Sequence, residues 1–282
     1  MKKYLTILAL VVFNYSFSQI NTPQPSPLAQ IEQIVGLTEI QVEYSRPSMR
    51  GREIFGNLVP YNRIWRTGAN ASTKISFSSN VEINGQMVAA GKYSVFTIPS
   101  EMEWKFILYN DTSVRGVPRD WDDDNVILST MVEIEKLPEP ISIETFTISI
   151  HTITNNNAVL SLMWDDVNVP VKLNVPTSDM VEKNIQEVMS KDPQASDYYA
   201  AAVYYMQEKV NLNTALVWMD KAMEMSENPQ FWQLRQQSLI YAANGDLKGA
   251  IRIAKKSLEA AKAANNKDYI KMNKDSIEEW SN

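Results

Sequence analysis

The chain of 282 residues is long enough for about two domains, and its 44% hydrophobic and 21% charged content is that of an ordinary globular protein. Its net charge of −6 argues against a broad nucleic-acid surface, which needs clustered positive charge. With no Cys and a single His, His151, it can form no disulfide, thiolate metal site, Cys nucleophile or multi-histidine centre.

Residues 1–18 read as a secretory signal peptide. Lys2 and Lys3 open it, residues 4–13 form an apolar run too short to span a bilayer, and Ser16 and Ser18 suit cleavage before Gln19. No Cys follows the run, so a lipid anchor is not expected. No later stretch reaches the roughly 18 apolar residues of a membrane helix. The mature chain is expected to be exported, periplasmic or extracellular, without a membrane span.

Residues 20–30 carry Pro23, Pro25 and Pro27 and read as an extended leader. From Gly36 the period is two. Ile40, Val42 and Tyr44 alternate with Glu39, Gln41 and Glu43, as in a half-buried strand. After an arginine-rich stretch the alternation resumes at Ile75 and Phe77, then at Val81 and Ile83, and Asn84-Gly85 marks a hairpin turn. Segments 93–98, 104–108, 126–134, 146–150, 159–164 and 167–175 complete about nine or ten short strands. No crossover helix lies among them, so 19–176 is predicted to be an antiparallel β-sandwich or barrel.

At Pro176 the composition switches. Val181, Ile185, Val188 and Met189 recur at helical spacing after Ser178, and Asp192-Pro193 reads as a cap followed by the first helical position. Segment 177–282 is predicted to be an α-helical repeat domain. Leu212-Asn213-Thr214-Ala215-Leu216 aligns with Leu247-Lys248-Gly249-Ala250-Ile251 at a spacing of 35, and Trp218 with Ile253, Ala222 with Ser257. Over 196–262 this resembles tetratricopeptide repeats, with small residues at Ala215, Ala222, Ala250 and Ser257 and a turn at Asn244-Gly245-Asp246. The first repeat departs from the family, with Lys209-Val210-Asn211 at the turn and no glycine. Two repeats are fewer than the usual three, so 178–191 and 267–280 are expected to flank them as helices. The resemblance implies a protein partner, while Tyr205, Trp218, Phe231, Trp232 and Tyr241 read as inter-helix core.

The stretch 44–73 is unlike ordinary core or surface. It holds Arg46, Arg50, Arg52, Arg63 and Arg66, five of the nine arginines, with Gly51, Gly56, Gly68, Phe55, Tyr61 and Trp65. Arginine presents a planar fork of donors suited to carboxylate or phosphate, and glycine lets backbone approach a ligand. Tyr44-Ser45-Arg46-Pro47, Gly51-Arg52, Ile54-Phe55-Gly56, Leu58-Val59-Pro60 and Trp65-Arg66-Thr67-Gly68-Ala69-Asn70 stand in order, followed by Gly91-Lys92-Tyr93 and Glu103-Trp104. Over roughly 26–175 this resembles domain-of-unknown-function family 2911. The resemblance implies an exported β-rich domain and carries over no catalytic residue.

Two readings of the stretch stand side by side. In one, Arg46, Arg52, Trp65, Arg66 and Asn70 line a pocket for a small anionic or glycan-like ligand. In the other, the arginines pair with Glu39, Glu43 and Glu53 or tie down loop carbonyls. Asp120, Asp122 and Asp124 stand at calcium-loop spacing, but Asn125 and Met131 replace the required Gly and Glu, so a solvated acidic loop is expected. His151 closes a strand and reads as a structural residue. The expected function is a non-catalytic envelope binding protein with no cofactor and no metal. The alternative is a hydrolase with its site at 44–73.

Overall fold

The computed structural model describes residues 22–282, and the expected signal peptide lies outside them. The chain divides into two units, the first ending at Thr177 and the second comprising Ser178–Asn282.

Among the described residues the first unit holds twelve strands: β1 (Leu28–Val35), β2 (Thr38–Ser45), β3 (Thr73–Phe77), β4 (Val81–Ile83), β5 (Gln86–Val88), β6 (Gly91–Ile98), β7 (Glu103–Tyr109), β8 (Val126–Glu133), β9 (Glu135–Lys136), β10 (Ile143–His151), β11 (Asn157–Asp165) and β12 (Val167–Asn174). They form two antiparallel sheets and no closed barrel. One runs β1-β2-β3-β6-β7-β8, the other β10-β11-β12-β4-β5, with β9 beside β12. Each side chain's face follows from its position in the alternation. Ile40, Val42 and Tyr44 of β2 and Leu160, Leu162 and Trp164 of β11 point inward and are buried, whereas Gln41 and Asn157 are exposed. The two inner faces share one hydrophobic core.

Strand β1 falls partly within the segment read as a leader. Its apolar residues Leu28, Ile31 and Ile34 recur every third position, which hides a period of two. Leu28 and Ile34 turn away from the core and are 63% and 60% exposed.

The second unit comprises six helices: α1 (Thr177–Met189, whose first residue closes the first unit), α2 (Ala195–Glu208), α3 (Leu212–Glu224), α4 (Phe231–Ala243), α5 (Leu247–Ala263) and α6 (Lys267–Ser281). Helix α2 begins two residues after Pro193, because Gln194 and Asp197 form a reciprocal capping box there. The helices pack chiefly as neighbours, α2 on α3, α4 on α5 and α5 on α6. Ala215, Ala222, Ala250 and Ser257 are wholly buried, so small side chains let these helices approach closely. Between α2 and α3, Lys209 and Asn211 take the left-handed φ values of 56° and 45° that Gly245 supplies, at 84°, between α4 and α5. Tyr205 stacks on Trp218, and Phe231 packs edge-on to Tyr269. Trp232, expected in the core, is instead 43% exposed. Successive helical residues point about 100° apart, so Phe231 and Trp232 cannot both enter one seam.

Tyr241 joins α4 to α3. Its hydroxyl donates to Asp220 Oδ2 at 2.8 Å, and Gln237 Nε2 donates to Oδ1 of the same carboxylate at 2.8 Å. Burial, then the bond to Asp220 and its charge, push the phenol from 10.0 up to about 12. The folded state thus favours the protonated phenol. The stabilisation is complete below pH 10.0 and is lost as pH rises from there through about 12. Tyr241→Phe is expected to cost the helical unit about 1.5–3 kcal/mol at neutral pH, as for a hydrogen bond to a charged group. In urea unfolding, the gap between the native chain and the variant should narrow over that alkaline window. A gap unchanged with pH would show that the phenol is not held protonated by the fold.

Candidate functional site

The arginine-rich stretch runs between β2 and β3 and closes one edge of the sandwich. Strand β10 is the outer strand of its sheet, so its free edge needs partners. Met49 N donates to Glu144 O at 2.8 Å, and Phe146 N donates to Pro47 O at 2.8 Å. Arg46 completes the cap, donating from Nε to Phe146 O at 3.0 Å and from Nη2 to Thr147 Oγ1 at 2.7 Å. Tyr44 OH donates to Ile148 O and accepts from Ile148 N.

The other expected site residues are also engaged. Arg52 donates to Met49 O at 2.8 Å and Ser48 O at 2.6 Å. Arg66 Nη1 donates to Asn70 O at 3.0 Å. Asn70, at φ 57°, donates to Ser26 O and Ser45 Oγ. Arg50 Nη2 donates to Pro25 O. These bonds end on main-chain carbonyls and hydroxyls, rather than on Glu39, Glu43 or Glu53. Arg63 is exposed, and its side chain makes no hydrogen bond among the described residues.

Trp65 turns inward. Its ring lies 5.1 Å from Phe146, 5.9 Å from Trp164 and 6.0 Å from Trp104, and its Nε1 donates to Gly68 O at 3.1 Å. Its main chain exchanges hydrogen bonds of 2.7 and 3.0 Å with Thr97 of β6. Phe55 sits beside Trp104 and Trp164, and Ile54 and Val59 are buried. The stretch thus plugs the space between the sheets with apolar side chains and clamps itself shut with guanidinium groups. Gly68 is required at φ 147°, because a Cβ there would meet Ser45 O at 2.9 Å.

A different surface is open. The outer face of the first sheet holds a concavity of about 360 Å³ over β1, β2, β3 and β6. Gln30, Gln41, Glu43, Lys74, Ser76 and Lys92 line it. The register explains their meeting: Gln30 lies opposite Glu43, Glu43 opposite Lys74, and Ser76 opposite Lys92. At one end Lys74 is only 8% exposed. Its Nζ donates to Ser72 Oγ at 2.8 Å, Ser94 Oγ at 2.9 Å and Val114 O at 3.2 Å, so all three donors are used. Ser94 in turn donates to Asp111 O and Ser72 to Val114 O, which fastens the loop after β7 over the lysine. Burial pushes the Lys74 ammonium below the usual lysine range and Lys92 adds to this, while Asp111 and Glu43 oppose it. Nothing in the local residue pattern marks this cluster, because a lone Lys in an alternating strand reads as solvated.

The family model described as "Protein of unknown function (DUF2911)" matches residues 26–173, more than half of the chain. The chain belongs to the DUF2911 family. A search of curated proteins and a search of solved structures each found no match. The DUF2911 region therefore spans both sheets, the arginine stretch and the concavity, and ends inside β12.

Two further expectations fall within the DUF2911 region. His151 is exposed at the end of β10, with Nε2 2.8 Å from Ser161 Oγ and Nδ1 2.9 Å from Thr152 Oγ1, while Ser161 itself has no exposed surface. In the acidic loop, Asp122 accepts from Asp124 N and Asn125 Nδ2, and Asp123 accepts from Trp121 Nε1. Among the described residues no group of three or more His, Asp and Glu could hold a metal ion, and no helix is long and apolar enough to cross a membrane.

Proposed function

We propose that the chain is a non-catalytic binding protein of the cell envelope. Its β unit takes a small glycan-like ligand, and its helices engage a protein partner. The observation that carries the ligand reading is the mixed polar lining of the outer-face concavity. Amides at Gln30 and Gln41, carboxylates at Glu32 and Glu43 and the ammonium of Lys92 offer donors and acceptors together. A polyhydroxyl ligand is both donor and acceptor and satisfies such a surface, whereas a bare anion would meet Glu32 and Glu43. Export rests on the composition of residues 1–18, and the envelope location follows from it.

For the helices we adopt a tetratricopeptide-like array. Helix α4 starts 36 residues after α2, and α5 starts 35 after α3. Helix α4 also touches both α2 and α6, as in stacked hairpins.

Calorimetric titration of the chain lacking residues 1–18 with neutral and uronic-acid oligosaccharides tests the ligand reading. Gln41→Ala and Lys92→Ala should each weaken binding by about tenfold, equivalent to 1.4 kcal/mol, whereas Arg52→Ala and Arg66→Ala should leave it unchanged. The opposite pattern would move the ligand to the 44–73 stretch and sink the concavity.

A further inference from the structure

Strand β1 presents the one long edge of the sandwich that other chain segments leave open among the described residues. All eight of its residues pair with β2, and its far side has no strand. The other edges are treated differently. The edge of β10 is capped by residues 46–49, and β5 is only three residues long. The edge of β8 receives side-chain amides, with Asn84 Nδ2 on Met131 O and Gln86 Nε2 on Ser129 O. Within β1 the one such device is local: Gln33 Nε2 donates to Ile34 O at 2.8 Å. No Pro, no Lys and no bulge interrupts the strand, and Glu32 is its one charge. These are the features that natural edges use to refuse a partner.

The hairpin fixes which backbone groups face outward. Val35 and Thr38 close a two-residue loop at Gly36-Leu37, so they exchange both backbone hydrogen bonds. The alternation continues to Arg46 N, which donates to Pro27 O at 2.9 Å. It follows that Leu28, Gln30, Glu32 and Ile34 direct their N–H and C=O groups to the free edge.

We propose that β1 pairs antiparallel with β1 of a second copy, joining the two six-stranded sheets across a twofold axis at Ile31. A twofold axis perpendicular to the sheet keeps outer residues on the outer face, and with Ile31 on that axis the side chains complement one another. Leu28 lies opposite Ile34, both largely exposed in the single chain, and Gln30 lies opposite Glu32 as amide to carboxylate. A shift of one step sets Glu32 against Glu32. The reverse shift sets Leu28 against Glu32. The centred register is therefore preferred over both. One strand pair buries less than the roughly 1,200–2,000 Å² of a stable interface, so the dimer is concentration-dependent.

Sedimentation equilibrium of the chain lacking residues 1–18 reads the dimer. Ile34→Glu should weaken dimerisation by at least about tenfold, and the double variant Leu28→Lys/Ile34→Glu should restore it, because the introduced charges then oppose across the axis. Both positions are exposed, so neither change threatens folding. Ile31→Cys, in a chain that otherwise has no Cys, should give an oxidised covalent dimer, whereas Gln33→Cys should not. A native chain that stays monomeric across the accessible concentrations would overturn the proposal. A dimer indifferent to Ile34→Glu, or a double variant that fails to recover, would overturn it as well.

Discussion

Trp65→Ala is expected to lower the unfolding free energy of the β unit by about 3 kcal/mol, the low end of the usual cost of deleting a large aromatic, because the ring is partly rather than wholly buried. The ring sits among Trp104, Phe146 and Trp164, and these come from both sheets, so its loss leaves a cavity at their junction. The walls cannot collapse, because Trp104 and Trp164 are fixed in paired strands and Phe55 fills the next place. Trp65→Phe should keep most of the stability, losing the indole bond to Gly68 O but retaining apolar contact. Guanidinium unfolding read by near-ultraviolet circular dichroism measures both. A loss under about 1 kcal/mol for the alanine variant would mean that the stretch is not part of the core.

Arg46→Ala is expected to cost about 2–3 kcal/mol, because a charged donor is removed from the β10 edge, where it bonds Phe146 O and Thr147 Oγ1. Arg46→Lys should recover little, since one ammonium cannot reproduce a fork that spans a carbonyl and a hydroxyl. Arg63→Ala is the contrast. That side chain is exposed and unbonded among the described residues, and its removal should stay within about ±0.5 kcal/mol. An arginine held for a ligand would behave like Arg63 in stability and fail only in binding. Equal, negligible costs at both positions would refute the edge-cap role of Arg46.

Much of the β architecture was legible because one face of each strand is buried. The alternation of Ile40, Val42 and Tyr44 in β2, and of Ala158, Leu160, Leu162 and Trp164 in β11, follows directly from that. Strand β1 escaped, since an open edge tolerates Leu28 and Ile34 on the solvent side, and apolar residues on both faces erase the period. Composition marked 44–73 as special but could not say why. The acceptors of Arg46 lie on a strand about a hundred residues away, and nothing local in sequence points to them. The pocket reading of Arg46, Arg52, Trp65, Arg66 and Asn70 treated donors as free that the fold directs to its own carbonyls. Lys74 was missed for the converse reason. Its burial comes from the loop after β7, and the residues beside it carry no trace of that covering. The helical unit was read more easily, because Ala215, Ala222, Ala250 and Ser257 repeat the same packing at the same spacing.

The cap on β10 also has a consequence for the order in which the molecule assembles. Tyr44 and Ile148 are 104 residues apart, Arg46 and Thr147 are 101 apart, and Ser48 and Thr145 are 97 apart. The hairpin of β1 with β2 needs only a two-residue turn and can form as soon as the segment is synthesised. The cap cannot close until β10 exists and has found its place beside β11. Contacts of such separation carry a large loop-closure entropy before they return any energy, and they slow folding. The arginine stretch is therefore expected to be the last part of the sandwich to set. Until it does, the aromatic core stands open at that edge, and variants that weaken the cap should show their greatest harm in refolding yield.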